Sequence, residues 1–431
     1  MFKPKLIIGF LVVILLVGVA AYSLFILGVE EKTKAVHGHS VKDTEIEAVA
    51  EAVSMIKRGV SDPDYVLLFS TAGYDSETVL KEVNRLLPHT KIYGSTSMLS
   101  VITKDGWHEG AKGSLGMMAI SSPKITFGVG GANIDDYTSA KEAGSAAIQN
   151  AIKNAEKEGS YPQLVLMTSA PGNEEKIIEG IEDVIGWGIP IIGGSSGDND
   201  LTGQWKQFVN HKVYSNGVSL TAVFTDLKIG YAYEAGYERS EAQGTITKAE
   251  GRVINEIDNK PAAEIYNEWC DGCVAEKLET GGPILSESTF WPLAKMIDTV
   301  TGIYYLSIHP LSIDAGDKSL TVFANVMEGD KILLMRGGWQ LLLDRAKQTP
   351  QKALLSEEIV IGEPIFGIYT YCAGTMLGIP PEERVKIPSL VSEAIGKDVP
   401  FIGTFTFGEQ GPLGLVNHHG NLINSMIVFS E

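Results

Sequence analysis

YVLLFSTAG (Tyr65–Gly73), followed after one helix-length stretch by IYG (Ile92–Gly94), is the segment whose reading decides the fold. It is an apolar strand ending in a small polar residue and Ala-Gly, then an amphipathic helix, then a short apolar strand ending in Gly. The same pattern returns from Leu164 to Gly193 (LVLMTSAPG…IIG) and from Ile365 to Gly403 (IFGIYTYCAG…PFIG). The first two helices share their apolar register, because Val79, Leu80, Val83, Leu86 and Leu87 recur as Ile177, Ile178, Ile181, Val184 and Ile185. Two strands with a helix between them close by a crossover, so each copy reads as a βαβ unit of a mostly parallel sheet. In such sheets ligands sit beyond the carboxyl ends of the strands, which directs the search for function to the residues after each strand.

Working outward, the chain has 431 residues, an apolar fraction of 44% and a formal charge of −18. The length asks for more than one domain, and the acidic balance, with no basic stripe, excludes a phosphate-backbone partner and hence nucleic acid. Three cysteines are too few for a disulfide scaffold. An uncharged run from Leu6 to Val29 is long enough to cross a hydrocarbon core of ~30 Å, and it continues beyond the length of a cleaved signal segment. Lys3 and Lys5 precede it, so the positive-inside rule places the N-terminus in the cytoplasm and the remaining chain outside the membrane.

The expected organisation is α/β, with repeated βαβ units and β meanders forming two mixed-sheet domains behind one N-terminal transmembrane helix. Residues 1–29 are the anchor, 30–60 a polar linker and a helix that Asp43 caps, 61–248 the first domain and 249–431 the second. The helix to Arg58 carries an apolar stripe of Ile46, Val49, Ala50, Val53 and Ile56. Asn216-Gly217, flanked by alternating apolar residues, predicts a hairpin, and Asp258-Asn259 predicts a turn before a helix that starts near Pro261.

Several motifs carry chemistry. The second strand of each unit ends in a glycine and hydroxyl loop: Gly94 to Ser97, Gly193-Gly194-Ser195-Ser196, and Gly403 to Thr406. Glycine allows a ligand close to the backbone and the hydroxyls can hold a polar group, although a locally capped turn explains any one copy. The second copy, extended by Gly197 and Asp198, is the strongest candidate. Its Gly-x-Ser-x-Gly spacing would make Ser195 a nucleophile only if a helix followed directly, and turn composition follows instead. Cys372 occupies the position of Thr71 and Ser169 in the sister units, which favours a small polar contact over thiol chemistry. Trp269-Cys270-Asp271-Gly272-Cys273 comes late in a helical run, where no helix dipole can activate the first thiol; a local disulfide and two ordinary thiols both remain open. Adjacent His418 and His419 point to opposite faces of a strand and cannot chelate one metal together. No Walker A loop or dinucleotide fingerprint occurs. No cofactor, metal or catalytic residue is expected.

The chain from about Pro63 to Glu431 resembles the FIST proteins, named for F-box and intracellular signal transduction, with a FIST N domain followed by a FIST C domain. The resemblance rests on IIGGSSGDND (Ile191–Asp200), NEIDNKPAAEIY, YCAG (Tyr371–Gly374), PFIGTFTFGEQGPLG (Pro400–Gly414) and NHHGNLINSMIVF (Asn417–Phe429). It implies a sensory module that binds a small molecule, such as an amino acid or related metabolite, and is usually coupled to a separate signalling domain, a part that a partner protein is expected to play here. It also implies that Glu409, Asn417 and His418 belong to the pocket. Thr375 stands where family members typically carry Arg after Cys-x-Gly, so an arginine clamp for an anion is not expected there. The expected site joins Gly193, Gly194, Ser195, Ser196 and Asp198 with Cys372, Gly374, Glu409, Asn417 and His418 across one cavity between the domains. Two other readings are a thiol- or serine-dependent hydrolase or transferase and a structural or partner-binding ectodomain.

Overall fold

The computed structural model describes residues 32–299, 302–355 and 362–431. The expected anchor at 6–29 lies outside them; no helix among the described residues is long and apolar enough to cross a membrane.

Each βαβ copy closes in parallel. Strand β1 (Lys34–Ser40) and helix α1 (Glu45–Lys57) lead into β2 (Tyr65–Thr71), α2 (Ser76–Leu86) and β3 (Lys91–Ser97). Tyr65 lies opposite Lys91, and Thr71 opposite Ser97. Gly94 is obligatory in this pair: a Cβ there would stand 1.7 Å from the Leu68 carbonyl oxygen. The chain then forms a short hairpin, β4 (Val101–Thr103) and β5 (Gly106–His108), and returns as β6 (Leu115–Ser121), antiparallel to both β1 and β2.

The second unit repeats this order with β7 (Ile125–Asn133), α3 (Ala140–Asn154), β8 (Leu164–Ser169), α4 (Glu174–Ile185), β9 (Ile191–Gly194), the hairpin β10 (Gln207–Val209) and β11 (Lys212–Tyr214), and the return strand β12 (Gly217–Thr225). The third unit begins with β13 (Lys228–Ala235), and an insertion from Glu238 to Arg336 then interrupts it. The strands and short helices of that insertion build their own nine-stranded sheet and core. The unit resumes with α8 (Trp339–Leu354), β23 (Pro364–Cys372), α9 (Ala373–Gly378), α10 (Pro381–Arg384), α11 (Ile387–Ile395), β24 (Phe401–Thr406), the hairpin β25 (Glu409–Leu413) and β26 (Val416–Gly420), and β27 (Ile423–Ser430).

The hairpins are exchanged in a ring. The first six-stranded sheet runs β1-β6-β2-β3-β10-β11, the second β7-β12-β8-β9-β26 with β25 between the last two, and the third β13-β27-β23-β24-β4-β5. The first unit therefore gives its hairpin to the third sheet, the second to the first, and the third to the second. Each donated hairpin covers the open edge of a parallel pair, whose unpaired amides would otherwise offer a template for another chain. The inner faces of all three sheets share one core that includes Phe69, Phe127, Leu166, Ile192, Phe366 and Phe429. The helices cover the outer faces.

Four local expectations change. Lys34–Ser40 is not linker but a strand paired along its whole length with β6. The cap of α1 is Thr44, whose hydroxyl accepts from the Glu47 amide, rather than Asp43, and Ile46 faces solvent while Ala48 and Ala52 join the buried stripe. Asn216-Gly217 does not close a hairpin, because β12 pairs with β7 and β8 while β11 pairs with β10. The turn instead carries the chain from one sheet to the next, tied by Asn216 Nδ2 donating to Asp135 Oδ1. Finally, strands from both sides of Lys248 share sheets, since β13 pairs with β27 and β4 with β24.

Candidate functional site

At the carboxyl ends of β8 and β23, under the insertion, lies a cavity of about 650 Å³. Its walls come from Pro171 and Glu174 after β8, Leu201 and Trp205 after β9, Cys372, Ala373, Gly374, Leu377 and Gly378 around α9, and Thr406 to Gly408 after β24. The insertion adds Arg252, Leu285, Phe290, His309, Leu311 and Phe323. The equivalent strand end of the first unit is closed, with Ser114 N donating to Thr71 Oγ1 at 2.9 Å and Thr71 N donating back to the Ser114 carbonyl at 2.9 Å.

Strand β23 passes directly into α9 at Cys372, and Thr375 Oγ1 donates to the Cys372 carbonyl at 2.7 Å. A Cβ on Gly374 would lie 2.7 Å from Leu422 Cδ2, so this glycine lets the last hairpin pack against the helix start. Burial pushes the Cys372 thiol well above its usual range, and the neighbouring Glu409 adds to the effect. Glu409 is fully buried behind the wall. Burial pushes its carboxyl up to about 8, although Thr406 Oγ1 donates to it at 2.8 Å and the Ile423 amide at 3.1 Å. The thiol and the carboxyl are both protonated at neutral pH.

A second polar group ties the insertion to the repeat. Glu174, the first residue of α4, accepts from the Gly172 amide with both oxygens at 3.0 Å and from Ser195 Oγ at 2.8 Å. Arg252 Nη2 donates to Glu174 and to Glu175, each at 2.8 Å, and the Asn325 amide donates to Glu175 at 2.7 Å. Burial opposes ionisation of Glu174, but His419 and Arg252 outweigh it and hold the carboxyl below its usual range. The pair is bonded and partly buried, so loss of the arginine would strand a buried charge.

Aromatic side chains make the rest of the wall. Trp205 and Phe407 meet edge to face at 6.2 Å, and Phe323 lies 5.9 Å from the His309 ring. Burial lowers His309 to about 4, so its imidazole is neutral.

Of the residues expected at the site, Cys372 and Gly374 line the cavity. Ser195 and Glu409 stand directly behind its wall. Asp198 acts at one remove: its carboxylate accepts from the amides of Leu201, Gly203 and Gln204 at 2.7, 2.7 and 2.8 Å, holding the loop that delivers Leu201 and Trp205. Ser196 Oγ donates to the Ser169 carbonyl at 3.0 Å and accepts from Gln207; Gly193 packs against the Met167 backbone of the neighbouring strand, and Gly194 against the Thr406 side chain of β24 in the third sheet. Asn417 binds the Ile191 amide, Glu182 and the Ile189 carbonyl at the other end of β9, and His418, pushed down to about 4 by burial, lies near Lys295. Neither reaches the cavity. Ser195 is followed by a loop rather than a helix, so no nucleophile elbow forms. Cys270 and Cys273 are disulfide-bonded, away from the cavity wall. No group of His, Cys, Asp or Glu among the described residues is placed to hold a metal. Arg252, Trp205, Phe290, His309, Phe323 and Phe407 had no motif to announce them.

The FIST N domain family matches residues 64–260 and the FIST C domain family residues 262–412. The chain belongs to the FIST family. FIST domains are sensory domains for small ligands and are not typically enzymes. This FIST protein is similar to an uncharacterized protein of Methanocaldococcus jannaschii, 27% identical over 174 residues. That match covers 39% of this chain and 32% of the relative, about a third of its length. Among solved structures, cyanuric acid hydrolase from A. caulinodans aligns with 54% of this chain and 84% of its own at 10% identity and a TM-score of 0.29. PurLQS from Thermotoga maritima aligns with 93% of this chain and 73% of its own at 9% identity and a TM-score of 0.22. Similarity at this level carries no argument about either fold or function.

Proposed function

We propose that this FIST protein is a sensory module that takes a small ligand into the cavity between the strand ends of its second and third units and the inserted sheet. The observation that carries the reading is the cavity itself: drug-sized, aromatic-walled, and roofed by a separately cored insertion. Occupancy at that seam bears on the Arg252 bridge to α4, which gives a route from binding to a change in how the insertion sits. The signal then passes to a partner protein. We further propose that residues 6–29 anchor the chain, with the N-terminus cytoplasmic and the FIST domains outside the membrane.

The hydrolase or transferase reading has less support. Cys372 is held as a thiol, and Ser195 is buried with its hydroxyl donating to an ionised Glu174, which cannot take its proton while bridged to Arg252.

Leu377 lines the cavity and is partly exposed, so Leu377→Trp fills space without opening the core. Native mass spectrometry should find the variant folded but without the small molecule that the wild type retains. Equal retention by both would refute the cavity as the binding site.

A further inference from the structure

The side chains of the cavity wall divide by burial. Most of the polar ones are sunk into the wall, Glu174 and Thr406 at 1% exposure and Asn421 at 4%. Their hydrogen bonds are spent within the protein: Thr406 Oγ1 donates to Glu409 at 2.8 Å, Thr289 Oγ1 donates to the Leu285 carbonyl at 2.7 Å, and Asn421 Oδ1 accepts from the His309 amide at 3.2 Å. Ser286 is exposed, but its hydroxyl donates to Glu287 at 2.6 Å. Arg252 is partly open, and its charge is shared between Glu174 and Glu175. The wall residues that keep open surface are otherwise mostly apolar, chief among them Leu201, Trp205, Phe290, Phe323, Leu377 and Phe407.

The backbone reinforces this division at one of these residues. Leu201 stands at φ 60°, a left-handed conformation that a leucine adopts only where its surroundings impose it. Asp198 imposes it by accepting from the amides of Leu201, Gly203 and Gln204. A buried carboxylate is thus used to hold an apolar side chain, 52% exposed, at the cavity. An apolar body entering here takes that surface out of water, which favours binding. An ion entering here gives up its hydration and meets no unmatched counter-charge, which opposes binding.

Resting on the reading of this cavity as the ligand site, we infer that its ligand is an uncharged, lipophilic molecule, recognised through its apolar surface rather than by an ion pair. Aryl ethers, esters and hydrocarbon-rich ketones fit this description. A free amino acid, doubly charged at neutral pH, does not.

The test compares three probes built on one ring system: 2-methoxynaphthalene, the anion 2-naphthoate and the cation 2-naphthylmethylammonium. Equilibrium dialysis is run on the full-length protein in micelles, with Leu377→Trp in the same micelles as the reference, so that uptake by the micelle cancels. The wild type should hold 2-methoxynaphthalene about tenfold or more tighter than either ion, and filling the cavity with Leu377→Trp should remove that binding. Preferred binding of 2-naphthoate or of the ammonium probe overturns the uncharged class while the binding-site reading stands. If the wild type holds none of the three more tightly than Leu377→Trp does, the inference falls. The binding-site reading then survives only if native mass spectrometry still finds a retained molecule that Leu377→Trp lacks.

Discussion

Replacing Glu409 with Gln should make this protein more stable in alkali, and by an amount that grows with pH. In the folded state burial raises the carboxyl from 4.5 to about 8, so the native protein binds this proton more tightly than the unfolded chain does. Between those two values the unfolded state has lost the proton and the native state retains it. Each pH unit gained in that window therefore costs the fold ~1.4 kcal/mol, and by pH 8 the accumulated loss relative to acid is ~5 kcal/mol. A glutamine side chain reproduces the protonated acid, with its amide donating toward Thr406 Oγ1 and its carbonyl accepting from the Ile423 amide. Urea denaturation of wild type and Glu409→Gln at pH 5 to 9 should thus give similar stabilities at pH 5 and curves that diverge upward in pH, the variant ahead. Other titrating groups cancel in the difference. Parallel curves across the range would show that Glu409 is ionised in the native state and would refute the argument from its burial.

The three repeat glycines are equivalent in topology but not in surroundings. Gly94→Ala and Gly193→Ala drive a Cβ to 1.7 and 1.8 Å from a backbone carbonyl, so each should lose ~3 kcal/mol or more in denaturation, whereas Gly403→Ala meets the flexible Ile102 side chain at 2.6 Å and should lose only ~1 to 2 kcal/mol. Asp198→Ala frees the loop bearing Leu201 and Trp205 and should weaken retention of a co-purified ligand by about fivefold or more. Asn417→Ala should cost stability, ~1 to 3 kcal/mol, yet leave the ligand in place, because Asn417 braces β9 at its far end; native mass spectrometry of both variants separates the two roles.

The βαβ copies were legible because parallel strands buried on both faces must be written as continuous apolar runs, and YVLLFST, LVLMTS and IFGIYTYC are such runs. Strand β1 was not: KAVHGHS is polar enough to pass for linker, and it becomes a strand because β6 offers it an edge. The exchanged hairpins were hidden for a similar reason. Strands of three residues carry almost no periodicity, and nothing local in QFVNHKVY tells which sheet will receive it. The insertion separates β13 from α8 by a hundred positions of unrelated pattern, which disguises the third unit's full kinship with the other two.

The site divided along the same line. Cys372 and Gly374 line the cavity because they follow a strand end, the position from which the sequence singled them out. Ser196 and Asp198 were singled out for their glycine-rich loop and Asn417 through the family resemblance, but Ser196 bonds the Ser169 carbonyl and Gln207, Asp198 the amides of its own loop, and Asn417 the start of β9 and Glu182. Arg252, Trp205 and His309 could not be found this way, since only the folded insertion brings these scattered residues to one wall.

The most direct test of the account is a crystal structure of the protein with the small molecule that it retains on purification. The account predicts density for that molecule between Trp205, Phe290 and Phe407. An empty cavity with the molecule bound elsewhere, for example at the strand ends of the first unit, would contradict it.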